Sequence, residues 1–183
     1  MRRANRLQLI CINLTAIALL ILLFYNLLAP YKIEHYFIAA ATLIMIVHIW
    51  WGARLYIKNV EYTRNLLDLL IDVLLVGLLA IAMFSLNTVV RWFIVFGTFF
   101  AIVIIKYTMG LFRTEESKVE MYIKTKIKIE SLVVLLFYFS AIMGSVFDYW
   151  WVPVFLSMAV FLAQIPFIYW LVFRKGVYKI PFE

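Results

Sequence analysis

The sequence predicts an all-α membrane protein, a bundle of six transmembrane helices joined by short loops. Two observations carry that expectation. Of the 183 residues, 67% are apolar and 15% charged, against about 45–50% and about 25% in soluble domains. The apolar residues also gather into runs of about 20, the length that crosses a hydrocarbon core of roughly 30 Å at about 1.5 Å per residue. Six such spans consume about 120 residues and leave too little chain for a separate soluble core. Residues 1–183 are therefore read as one transmembrane domain.

The first span is expected over about 7–28, ended by Pro30, whose ring disfavours helical geometry at Ala29. Lys32, Glu34 and His35 supply the polar turn before a second span over about 36–57. The polar stretch 58–65 leads to a third over about 66–85. Ser85, Leu86, Asn87 and Thr88 form a minimal turn into a fourth over about 89–111. In the segment 113–128, Ser117 and Glu120 stand at capping-box spacing, and Val119, Tyr122, Ile123 and Ile127 recur with helical periodicity. It is expected to be a cytoplasmic amphipathic helix, either lying on the membrane or extending the fifth span inward. That fifth span is placed over about 129–148 and a sixth over about 152–173, with Pro153 suiting its first turn. Gly176 is a helix stop.

Charge fixes the expected orientation. All of the 17 Lys and Arg residues except Lys32 and Arg91 fall on the side that holds both termini. The positive-inside rule then places both termini in the cytoplasm and the chain in the cell membrane. A basic collar facing anionic lipid at the cytoplasmic face accounts for the net charge of +7, and no nucleic-acid partner is implied. The basic N-terminus and long apolar run read as a retained signal anchor. Cys11, the single cysteine, has no internal disulfide partner and reads as a packing residue.

Polar side chains at bilayer depth are the functional signal, because each costs free energy unless it faces the bundle interior or water. Counting inward at about 1.5 Å per residue puts Asn13, Asp72 and Lys106 about 9 Å deep and Arg54 about 5 Å deep. His48 and Gln164 fall about 14 Å deep, with Thr15 and Ser140 nearby. The polar-cavity or transport candidates are thus Asn13, His48, Arg54, Asp68, Asp72, Lys106 and Gln164. Asp72 is expected to pair with Lys106 or Arg54, a structural role, with Asp68 reaching water or Arg64. The competing reading joins Asp68 and Asp72, one helical turn apart, into an acidic stripe at an inner cation vestibule. His48 has two readings as well: a proton gate or relay, or a neutral imidazole bonded to Gln164, Ser140 or a carbonyl.

Pro166 interrupts the sixth helix beside Gln164 and is the candidate hinge. Ser140, Ala141, Gly144 and Ser145 make overlapping small-xxx-small pairs for close helix packing, within the bundle or between subunits. A homo-oligomer is the expected assembly. Tyr31, Tyr36, Trp92, Tyr149, Trp150 and Trp151 are expected in an outer aromatic belt.

The sequence contains no P-loop, GxSxG, HExxH, CxxC or Asp-rich metal motif, so no enzyme activity, metal or cofactor is expected. A potassium-filter signature and an arginine-studded voltage-sensing helix are missing too. The expected function is an oligomeric ion channel or small-solute transporter with a cytoplasm-facing polar cavity. The alternative is a noncatalytic membrane scaffold or an accessory subunit of a larger membrane complex.

Overall fold

A computed structural model of the chain describes residues 3–28, 33–59, 66–85, 89–113 and 117–147, with isolated positions beyond 150. Its regular elements are five α-helices with no strand among the described residues: α1 Arg3–Leu28, α2 Ile33–Asn59, α3 Leu66–Ser85, α4 Val89–Leu111 and α5 Ser117–Val146. Three segments are long and apolar enough to cross a membrane: Arg6–Tyr25, Val90–Leu111 and Val119–Val146. That corrects the expected six to three within the described residues. Within α2 the apolar stretch over the described side chains is Ile38–Trp50. The expected sixth span, 152–173, lies outside the described residues apart from isolated positions.

Residues 117–128 of the amphipathic segment and the fifth span are one helix. Helix α5 runs unbroken for 30 residues, about 45 Å at the α-helical rise. No Gly or Pro occurs between Ser117 and Met143 to interrupt it. The amphipathic segment therefore extends the span and does not lie separately on the membrane surface.

Packing follows the sequence patterns. Helix α4 places Trp92, Phe93, Phe96, Phe99 and Phe100 on one side at helical spacing, and all five are buried in the core. The ring of Phe137 from α5 meets Trp92 edge-on at 5.6 Å and stacks on Phe100 at 5.8 Å. Gly97 permits this approach, since a Cβ there would sit 3.3 Å from Phe137 Cβ and 3.4 Å from the Tyr138 ring. Trp92 is thus corrected from the outer belt to the core, being only 1% exposed. Its spacing to Phe96 and Phe99 turns it toward α5. Tyr36 and Trp151 are exposed.

Helix α1 packs on both α2 and α3, α3 packs on α4, and α4 packs most extensively on α5. Side chains of α2 and α5 then meet and close a ring in the order α2, α1, α3, α4, α5. The outer surface of this ring is apolar: Leu7, Ile10, Leu14, Ile17, Ile21 and Phe24 form an exposed stripe along α1. Charged side chains, by contrast, are buried within. That inverts the soluble pattern, in which Lys, Glu and Asp almost never lie fully buried unless paired.

Candidate functional site

Lys126 and Glu130 stand one turn apart on α5, so their side chains leave the helix on the same face. Lys126 Nζ donates to Glu130 Oε1 at 2.8 Å, and both residues are 1% exposed. His48 of α2 projects onto this pair, its Nε2 lying 2.9 Å from Lys126 Nζ and 3.1 Å from Glu130 Oε1. One ring nitrogen cannot accept from the ammonium and donate to the carboxylate at once. Glu130 Oε1 already accepts from Lys126, so we assign Nε2 as the acceptor and the imidazole as neutral, with its hydrogen on Nδ1. One turn along α2, Gly52 leaves space for the ammonium: a Cβ there would lie 4.0 Å from Nζ. The Tyr107 ring of α4 lies 6.0 Å from the same nitrogen, a distance at which its face favours a cation.

A second set of charges joins α3 to the C-terminal half of α4. Lys106 donates to Asp72 Oδ1, and Arg113 donates to Asp68 Oδ2. Asp68 and Asp72 are separated by one turn on α3, while Lys106 lies on α4 and Arg113 in the turn just past its end. The crossed order fits two neighbours running antiparallel. Asp68, Asp72 and Lys106 are buried.

His48, Gly52, Asp72, Lys106, Tyr107 and Glu130 of these sets line one cavity of about 70 Å3 to which all five described helices contribute. Helix α1 gives Cys11, Ile12 and Thr15, and α2 gives His48, Ile49 and Gly52. Asp72 and Leu75 come from α3, Phe99, Phe100, Val103, Lys106 and Tyr107 from α4, and Glu130 from α5. Asp72 Oδ2 and Glu130 Oε2 are buried with no hydrogen-bond partner in the protein. Thr15 Oγ1 instead donates to the Cys11 carbonyl of its own helix at 2.9 Å. Ser140 does the same to Leu136 at 2.5 Å, so both hydroxyls are satisfied within their own helices. Among the described residues, no group of three or more His, Cys, Asp or Glu side chains is placed to hold a metal ion.

The sequence-derived candidates divide accordingly. His48, Asp72 and Lys106 converge on the cavity, whereas Asp68 is buried against Arg113 rather than reaching water; Arg64 lies outside the described residues. Asn13 is corrected: it is exposed on the outside of α1, because Ile12 and Thr15 take the inward positions of that turn. Arg54 belongs to α2, but its side chain lies outside the described residues, as does Gln164. The structure sets His48 against the Lys126–Glu130 pair, and Ser140, one of its expected partners, bonds the Leu136 carbonyl instead. Pro166 is helical and exposed, and its neighbours Gln164, Ile165 and Phe167 lie outside the described residues. Ser140 and Ala141 are buried inside this chain, Gly144 is half-buried and Ser145 exposed.

Depth counting missed Glu130, Lys126, Arg113 and Tyr107. A carboxylate at 130, inside the fifth apolar run and one turn after a lysine, was the available signal. Placed on one long helix, Lys126 and Glu130 form a self-neutralising pair that enters the bundle together. The chain matches no known protein-family model, no curated protein and no solved structure.

Proposed function

We propose that this chain is a membrane transport protein, an ion channel or small-solute transporter, working as a homo-oligomer with both termini in the cytoplasm. Its polar cavity would face the cytoplasm, with anionic lipid against the surrounding basic residues. The observation that supports this reading is the cavity of about 70 Å3, lined by Asp72, Lys106, His48 and Glu130 inside a bundle whose outer faces are apolar. Ionisable groups inside a membrane bundle are costly, and they usually mark a substrate or ion pathway.

A specific observation favours a second reading, the noncatalytic scaffold or accessory subunit. Asp72, Lys106 and Glu130 are each already engaged in an ion pair, and paired charges also hold helices together without conducting anything. Purified protein reconstituted into liposomes separates the two. The transport reading expects flux above that of protein-free vesicles for at least one member of a panel of K⁺, Na⁺, H⁺, Cl⁻ and small neutral solutes. Baseline flux for the whole panel, with a stable copurifying membrane partner, would replace transport with the scaffold.

A further inference from the structure

We propose that the cavity takes a small uncharged molecule with at least two N–H or O–H donors, of the urea or short-polyol class, in preference to an ion. This rests on the transport reading above and names the substrate class of that same site.

Charge balance comes first. Asp72 is offset by Lys106, Glu130 by Lys126 and Asp68 by Arg113, while His48 is neutral in the tautomer its contact with Lys126 requires. An ion of either sign entering this set adds charge that nothing nearby offsets, in an interior where unpaired charge is expensive. A neutral guest avoids that cost.

Hydrogen bonding gives the guest its polarity. Two acceptors on different helices of the cavity lining lack partners: Asp72 Oδ2 from α3 and Glu130 Oε2 from α5. Their side chains are only 7% and 1% exposed, so bulk solvent does not satisfy them. No buried donor on the described lining side chains is left in the same condition. The missing groups are therefore donors, and two are needed on one small molecule.

Size and wall chemistry narrow the class further. About 70 Å3 is room for about five water-sized spheres at roughly 10–15 Å3 each, which corresponds to a guest of about four to six heavy atoms. Leu75, Phe99, Phe100 and Val103 add apolar wall to the lining that holds the two carboxylates. A compact skeleton with polar ends fits such a wall better than a bare hydrated ion does.

The test uses proteoliposomes of the full chain. Entry of urea, ethylene glycol and glycerol is followed by stopped-flow light scattering after an osmotic step, beside dye-reported flux of K⁺, Na⁺ and H⁺. The expected result is entry of at least one neutral solute several-fold above protein-free vesicles, with ion flux at their baseline. Leu75→Phe fills the cavity from α3 and should return solute entry to the protein-free rate. Val103→Phe does the same from α4 and serves if the first variant does not fold.

Ion flux without neutral-solute entry overturns this inference and leaves the transport reading standing. If neither moves, and Cl⁻ flux is also at baseline, both readings fall. Water permeability that rises alone also overturns the inference, because the cavity then holds only water. Solute entry that survives both filling variants removes it from this cavity.

Discussion

Asp72 and Lys106 show how far a single side chain can be read from sequence. Depth counting put both about 9 Å inside the membrane, and the structure joins them directly across α3 and α4. Removing one partner of a buried pair strands the other's charge, so Asp72→Asn is expected to cost about 3–5 kcal/mol of stability. Lys106→Met added to it should restore much of that loss, giving a large coupling in a double-mutant cycle followed by unfolding in micelles. Additive losses would mean that the two groups do not depend on one another. The Lys126–His48–Glu130 cluster was not legible in the same way, because Lys126 reads as part of a charged surface segment until α5 is known to be continuous. Its partner on α2 lies 78 positions away in sequence, and no local pattern carries a contact at that separation.

The helices themselves were more transparent than their neighbours. Polar breaks at 58–65 and 86–88 delimit α3, and the turn before Val89 with the charged stretch after Leu111 delimits α4. Both helices begin and end where those punctuation marks put them. Helix α5 departed from its expected start at 129 because lysines at 124, 126 and 128 look like the end of a span. Yet these residues are good helix formers, and the sequence supplies no breaker there. Which face of α4 is covered was harder to foresee, since its aromatic stripe suits a lipid belt as well as a partner helix. Gly97 tests the observed answer. Gly97→Leu drives a side chain against Phe137 and Tyr138 and is expected to destabilise the bundle by about 1–3 kcal/mol. Gly77→Leu is the control, because a Cβ at Gly77 meets nothing within 4 Å; it should shift the unfolding midpoint little. Equal losses at both positions would mean that the α4–α5 contact does not set the effect, since Gly→Leu favours a helix at either one.

Taken together, the five described helices form a ring with an apolar exterior and charge inside, which is the arrangement expected where the surrounding medium is hydrocarbon. The proposed orientation is open to cysteine labelling in intact cells, in a Cys11→Ser background. Single cysteines at 118 and 178 should stay protected from an impermeant reagent, and ones at 32 or 88 should react. Labelling of position 178 from outside would reverse or abandon the cytoplasmic assignment. The placement of the two kinds of ion pair also bears on how the chain is made. Lys126 and Glu130 lie on the same helix, so on the proposed membrane reading α5 carries the counter-ion of its buried lysine with it as it leaves the translocon. Asp72 and Lys106 lie on different helices, and neither is neutralised until the other arrives. With only 86–88 between them, α3 and α4 are expected to partition into the bilayer together, as a hairpin, while α5 is able to follow alone.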